Sequence, residues 1–463
     1  MLIRLSFFLC IIAIVIKLIA IFYTNFDLFG DEAQYWVWSK DLNLGYYSKP
    51  PFLPWVIALI TGLLGNDFWV IKIIPTSTYL ITPFVIYLIA QELYKDKKLS
   101  ILCALSFYLM PAVSVSSFLL STDIFLIFFW SLCLLFTLKI KSNQSLANFF
   151  LLGIFLGLAL LSKYAGIYFI VSLIVFLFFD NDFRKVFYKN YISFFVFILT
   201  AFFVFLPNIV WNINNGWLTF VHTSDNAALS NIGFNIKNAL IFILSQVVMI
   251  GPLVFLFFFI SLRKLRFGYK EKFLLAFSAP IFLIIIIESF LVRANANWAA
   301  VAFVSFFILT FSHLYTFSKK ILLTNNVINF LFCLSFFILI SATSSFSFFD
   351  RVSGFSSLAT SLEKKHLEKN SFLVVEDRLL FSNLKYYLRE SSINLYTSHS
   401  PNKKIGSHFH ITDALPETFD KKFIFLGHPS ELSYLKKEHS FKIKEVINVR
   451  FQQRPLNVYE VIF

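Results

Sequence analysis

Long apolar runs alternate with short polar connectors through the first 342 residues, and then the pattern changes. A membrane-crossing helix needs about 20 mostly apolar residues. Runs of that kind cover 5–23, 70–93, 100–118, 123–140, 146–162, 165–180, 191–210, 238–260, 273–291, 299–317 and 321–342, which predicts about eleven spans. The run 51–64 is shorter and is bounded by Pro50-Pro51 and Gly65, so it predicts an interfacial or re-entrant helix. The first run has no small-residue cleavage site and further spans follow it, so it reads as a retained helix. Gly153 and Gly157 form a small-xxx-small pair, which predicts close packing against a neighbouring helix.

Beyond about residue 345 the period shortens. The serine-rich "SATSSFSFF" reads as a linker. "SFLVVEDR" (371–378) and "KKFIFLG" (421–427) are short runs ending in turn residues and predict strands. "LLFSNLKYYLRE" (379–390) puts Leu380, Leu384, Tyr387 and Leu388 at helical spacing. The expected architecture is an α-helical polytopic membrane bundle over 1–345, followed by a small α/β domain over 350–463.

Composition agrees with this reading. Hydrophobic residues make up 58% of the chain, charged residues 14%, and the mean hydropathy is +0.74. A soluble domain carries roughly 25% charged residues. A net charge of +14 would suggest nucleic acid for a soluble protein. Here it reads as loop charge that sets orientation, and no nucleic-acid partner is expected. With the N-terminus in the cytoplasm, the inner loops hold fifteen cations: Lys95, Lys97, Lys98, Lys139, Lys141, Arg184, Lys185, Lys189, Arg263, Lys264, Arg266, Lys270, Lys272, Lys319 and Lys320. The outer loops hold five, Lys40, Lys49, Lys163, Lys237 and Arg293, with Lys72 near that side. The positive-inside rule selects this topology and sends the tail outside the cytoplasm. Cys10, Cys103, Cys133 and Cys333 fall in apolar runs without metal-ligand spacing, so neither a disulfide framework nor a metal site is read from them.

Once sidedness is set, the unusual polar clusters share the outer face. They are "GDEAQYWVWSKDLNLGYYSKPP" (30–51), "SSFLLSTD" ending at Asp123, "LSKYAG" with Lys163, "LPNIVWNINNGW", and "ESFLVRANANW" with Arg293. Ionisable groups at membrane depth are costly and mark function by default. Each also has an ordinary use. Asp31, Glu32 and Asp123 could cap helices. Lys49 and Lys163 could snorkel to headgroups. Trp36, Trp38, Tyr46 and Tyr47 could form an interfacial belt. His399, His408 and His410 read as surface residues of the tail rather than metal ligands. The two prolines after Lys49 fix the backbone that carries it. Taken together, carboxylates and cations on one outer face suit a polyisoprenoid phosphate, which holds an anion at headgroup depth. Lys49, Lys163 and Arg293 could neutralise a departing phosphate, and Asp31 could accept a proton from an attacking hydroxyl. Tyr46 and Tyr47 could stack on a sugar or hold isoprene units. Asp31, Glu32 and Asp123 could instead hold a divalent cation, so metal dependence stays open. No Walker loop or glycine-rich dinucleotide fingerprint supports a cytoplasmic nucleotide donor.

"DEAQYW…GYYSKPPFLPW", "STDIFLIFFW", "FLGLALLSKYAG", "FLPNIVWNINNGW", "NANWAA" and the tail's "VVEDR…LKYYL" resemble the successive motifs of bacterial C-type glycosyltransferases. The nearest group is family 39, related to protein O-mannosyltransferases and to the aminoarabinose transferase of lipid A. The resemblance implies inverting transfer of a monosaccharide from a polyprenyl-phosphate carrier to a glycolipid, glycan or protein acceptor on the outer face of the plasma membrane. It implies Asp31 of the Asp31-Glu32 pair as general base and Lys49 at the donor phosphate. Asp123 and Lys163 match the family's acid and lysine motifs, and Arg293 matches more loosely. Two other classes compete. A transporter or flippase for a lipid-linked intermediate predicts repeated halves and midplane polar groups, which the sequence does not display. A membrane scaffold leaves the carboxylate–lysine cluster without a use.

Overall fold

The computed structural model describes residues 1–227, 233–262, 267–342, 347–447 and 456–463. Arg263, Lys264 and Arg266 of the basic inner loop, and 343–346 of the expected linker, lie outside the described residues. In chain order the helices are α1 (Leu2–Tyr23), α2 (Gly30–Trp38), α3 (Phe52–Leu64), α4 (Phe68–Tyr94), α5 (Lys97–Tyr108), α6 (Pro111–Ser116), α7 (Thr122–Ser142), α8 (Leu146–Ser162), α9 (Tyr168–Phe179), α10 (Asn181–Lys189), α11 (Tyr191–Asn214), α12 (Leu218–Ala227), α13 (Ile236–Ile250), α14 (Pro252–Leu262), α15 (Tyr269–Ala276), α16 (Ala279–Leu291), α17 (Ala302–Phe317), α18 (Lys319–Ala342), α19 (Phe355–Lys365), α20 (Arg378–Tyr387) and α21 (Phe409–Thr412). The strands are β1 (Phe372–Val375), β2 (Asn394–Thr397), β3 (Phe423–Leu426), β4 (Ser440–Ile447) and β5 (Leu456–Ile462). Two compact units result. One comprises Met1–Phe22, Lys49–Leu53 and Trp69–Ile338; the other comprises Tyr23–Ser48, Pro54–Phe68 and Leu339–Phe463.

The first unit is the apolar helical one. All eleven predicted runs are helical, but some are broken. Among the described residues six helices are long and apolar enough to cross a membrane, or up to eight if each sharply bent pair counts as one span. The run 238–260 is one correction: it divides into α13 and α14 at a bend of 107°. The cause is local, since Gly251 has φ +102° and Pro252 follows it. Glycine adopts that angle without a Cβ penalty, and proline cannot donate to the turn before it. The run 100–118 is likewise interrupted between α5 and α6, where Pro111 opens a new helix. The predicted close packing at Gly153 and Gly157 is met by α11. A Cβ at Gly153 would stand 2.6 Å from the Phe197 carbonyl oxygen, and one at Gly157 would stand 2.5 Å from Cβ of Val204. All four cysteines are buried free thiols.

The second unit joins the polar stretch 30–48 to the tail. Its sheet runs β2-β1-β3-β5-β4, with β1 parallel to β2 and β3, and β5 antiparallel to β3 and β4. Helix α20 supplies the crossover between β1 and β2 that a parallel pair requires. Asp377 opens α20 by accepting from the amides of Leu379 and Leu380 at 3.0 and 2.8 Å. β3 is buried along its whole length, as a central strand should be, whereas β4 alternates and forms an edge. Val374, Phe425, Leu432, Tyr459 and Val461 form the core on the sheet. Buried Glu460 is tolerated because Lys422 and Lys444 flank it; their hydrogen bonds hold its carboxyl down at about 2. The chain before α2 is also built into this unit. Asp27 accepts from the amides of Phe355 (2.6 Å) and Ser356 (3.3 Å), capping α19, and the Tyr387 hydroxyl accepts from the Leu28 amide at 3.0 Å.

Candidate active site

In the helical unit, Asp123 lies in the first turn of α7 and Lys163 is the residue that ends α8. The Lys163 ammonium donates to Asp123 Oδ1 at 2.6 Å, with the two side chains 18% and 10% exposed. Asn297 Nδ2 donates to the other carboxylate oxygen at 2.8 Å. Asp123 therefore does not cap α7 with its side chain, and Lys163 is ion-paired. The turn after Lys163 hugs α8: a Cβ on Gly166 would approach the Ala159 backbone to 3.1 Å. The next side chain, Tyr164, donates to Asn208 Oδ1 at 2.8 Å and accepts from Asn212 at 3.2 Å. Its ring stacks on Phe220 at 4.7 Å. Three of the quoted sequence stretches, "STD", "LSKYAG" and "NANW", thus meet at one carboxylate, and "LPNIVWNINNGW" is tied to the residue beside it.

Lys49 is half-buried on the segment that leads into buried Pro50 and Pro51. Phe52 fastens this segment to α7, packing on Phe125 and Phe129 at 5.2 and 5.1 Å. Arg293 lies exposed past the end of α16, and Asn297, four residues on, makes the contact with Asp123. The sequence reading passed over Asn297, although "NANW" was in view. It also passed over Lys17, which is 1% exposed and donates to the Tyr108 hydroxyl at 3.1 Å. Lys72, counted above only for topology, is equally buried, with its ammonium 4.6 Å from the Phe118 ring centre.

In the second unit, α2 carries Asp31 and Glu32 in its first turn. Glu32 is fully buried, and its Oε2 accepts from the Phe29 amide at 2.9 Å, so Glu32 serves the helix end. Asp31 is only partly buried. Its Oδ1 pairs with Arg378 at 3.2 Å, and the same guanidinium nitrogen donates to Gln34 at 2.5 Å. Among the described residues Oδ2 of Asp31 has no protein donor. Arg378, the first residue of α20, was also missed, being 347 positions away. Gly30 lets the two helices close: a Cβ there would lie 2.8 Å from Cβ of Leu379. Trp36, Trp38, Tyr46 and Tyr47 are buried in this unit and do not form an exposed belt. Tyr46 stacks on Trp38 at 4.7 Å and 6°, and its hydroxyl bonds to the carbonyls of Trp38 and Asp41. Burial pushes the Tyr46 hydroxyl up to about 12. His408 corrects the surface reading of the tail histidines: it is 5% exposed against Trp38 and Tyr46. His399 and His410 stack on each other at 4.1 Å. Among the described residues no three His, Cys, Asp or Glu side chains gather as a metal ion's ligands would.

Residues 48–211 match the family model described as dolichyl-phosphate-mannose-protein mannosyltransferase. The chain is 28% identical over 447 residues to the lipid A galacturonosyltransferase RgtD of Rhizobium johnstonii, covering 94% of this chain and 93% of that protein. It is 27% identical over 132 residues to the undecaprenyl phosphate-alpha-4-amino-4-deoxy-L-arabinose arabinosyl transferase of Pseudomonas aeruginosa, covering 28% of this chain and 24% of that protein. Its fold matches the crystal structure of ArnT from Cupriavidus metallidurans with a TM-score of 0.70 at 14% identity, over 98% and 97% of the two chains.

Proposed function

We propose that the chain is a multi-pass membrane glycosyltransferase related to the bacterial C-type enzymes of the ArnT and protein mannosyltransferase group, and that it transfers a monosaccharide from a polyprenyl-phosphate carrier to an acceptor hydroxyl or phosphate, with inversion, on the outer face of the plasma membrane. The observation that carries this reading is the Asp123–Lys163–Asn297 cluster at the helix ends of the apolar unit. An ammonium so held is an anion-binding group already oriented, and a departing lipid phosphate needs one. In this reading Lys163 and Lys49 neutralise the donor phosphate, and Asp123 with Asn297 positions Lys163. Arg293 is assigned to the rim, and Tyr46 and Tyr47, both buried, to shaping the segment that leads to Lys49.

Asp31 is the proposed proton acceptor. Arg378 and Gln34 together steer one edge of this helical turn, and Oδ2 of the carboxylate is left for the incoming hydroxyl. Glu32 supports the helix that presents Asp31. The helical part, 1–345, is assigned to transfer and the tail, 350–463, to the outer compartment. Fifteen inner cations against five outer ones support that orientation. A reporter active only outside the cytoplasm, fused after Phe463, should be active, and the reverse would invert the assignment. The reaction itself is tested by mass spectrometry of envelope glycolipids and glycoproteins with and without the gene. Loss of one sugar from one acceptor class supports transfer. Identical spectra from cells shown to express the protein would contradict it.

A further inference from the structure

The segment 292–297 carries both Arg293 and Asn297, and α13 grips it at two points. Asn238 Nδ2 donates to the Val292 carbonyl at 2.9 Å, and Gln246 Nε2 donates to the Ala296 carbonyl at 3.1 Å. The chain leading into α13 adds backbone ties, from the Gly233 amide to the Leu291 carbonyl and from the Asn235 amide to the Phe290 carbonyl, both at 2.8 Å. The two side-chain clamps thus stand on either side of Arg293. The residue after the second clamp is Asn297, whose amide donates to Asp123 Oδ2 at 2.8 Å while Lys163 holds Oδ1 at 2.6 Å. A continuous relay runs from Gln246 through the Ala296–Asn297 peptide group to Asp123 and Lys163.

Gln246 is a costly residue in this place. It is 2% exposed, on a helix face that otherwise buries Ala239, Phe242 and Ile250. Its Oε1 is buried without a hydrogen-bond partner. Leucine or methionine would fill similar space without stranding an acceptor. What the amide adds is its N–H donors. Nε2 meets the Phe242 carbonyl at 3.2 Å, Ser245 Oγ at 3.1 Å and the Ala296 carbonyl. These acceptors fix which way the amide faces, since Oε1 turned to that side would oppose two carbonyl oxygens. Asn297, by contrast, is exposed, so packing does not fix its side chain. Its placement depends on its backbone. A peptide group is planar, so holding the Ala296 oxygen holds the plane that carries the nitrogen and Cα of Asn297.

We propose that Gln246 is a positioning residue for the Asp123–Lys163 pair. Its hydrogen bond to Ala296 sets Asn297 against Asp123, and Asp123 in turn aims the Lys163 ammonium at an anion. That this anion is a lipid phosphate rests on the transfer reaction proposed above. Gln246 acts through Asn297 and not on the phosphate itself. Charged groups that work by preorganisation depend on such supporting contacts.

The test titrates the purified full chain in nanodiscs with farnesyl phosphate, read by calorimetry. Gln246→Leu keeps the burial and removes the N–H. It should weaken binding by about fivefold, near what one neutral hydrogen bond contributes, with the number of sites per chain unchanged. Loss of fold would instead reduce the number of sites and leave their affinity alone, so a merely structural role is told apart. Asn297→Ala should weaken binding at least as much. Adding Gln246→Leu to it should cost nothing further, because the effect of Gln246 passes through Asn297. If Gln246→Leu does not insert, Gln246→Met, which also lacks the N–H, carries the same expectation. Wild-type affinity in the Gln246 variant, or losses that multiply in the double variant, would overturn the role of Gln246 alone. A wild-type chain with no affinity for the phosphate would overturn the phosphate reading of Lys163 and the role of Gln246 with it.

Discussion

Lys163 and Asp123 meet at 2.6 Å across 40 positions of sequence, one at the end of α8 and the other in the first turn of α7. Both side chains are mostly withdrawn from water, so each depends on the other. Removing one partner of a buried pair costs about 3–5 kcal/mol, while replacing both by neutral groups is often nearly neutral. Lys163→Met and Asp123→Asn should each lower the unfolding midpoint clearly, and the double variant should recover most of the loss. Donor turnover should recover in none of the three. Recovered turnover in the double variant would reduce the pair to a structural brace.

The α8–α11 contact is set by glycine. A side chain at Gly157 would meet Val204 at 2.5 Å. Gly157→Leu should destabilise by about 1–3 kcal/mol through overpacking. Thermal unfolding in detergent measures it, and Gly62→Ala, where nothing lies within 4 Å, is the control.

His408 makes stability depend on pH. Its folded value near 4 lies below the ordinary 6.5, because burial disfavours the charged form. Between those values the unfolded chain binds more protons, so stability falls as pH drops through that window. By pH 5 the loss from this group is about 2 kcal/mol. The unfolding midpoint of the full chain at pH 7 and pH 5 should therefore differ, and His408→Phe should narrow the gap. An unchanged gap would assign the acid sensitivity to other groups.

The apolar bundle was legible because lipid forces a crude rule: long apolar runs become helices. That rule ignores breaks. The "IGP" at 250–252 stood in plain view, yet hydropathy runs unbroken across it, and only the φ of Gly251 with the following proline divides α13 from α14. Two of the tail's five strands, β1 and β3, were legible as short apolar runs ending in turn residues at 371–378 and 421–427. Asp123 and Lys163 were legible from their cost at membrane depth, and their pairing was not, since any of several cations could have served. Arg378 is the clearest case of what a single sequence hides. It follows an ordinary capping Asp377, and its pairing with Asp31 depends on the seating of α2 on α20, which Gly30 allows. The polar stretch 30–48 belongs to the compact unit that holds the tail because Asp27 and Tyr387 bind backbone across more than 300 positions, a relation no local pattern contains.

The central claim is that Asp31 takes the acceptor's proton. Asn fills the same space and ends a helix equally well, but it cannot accept that proton at neutral pH. Turnover of a lipid-linked sugar by purified Asp31→Asn, with donor affinity measured separately, is the most direct test. The account predicts a loss of roughly 100-fold or more with donor binding preserved. Turnover within a few-fold of wild type would contradict it and remove Asp31 from the chemistry.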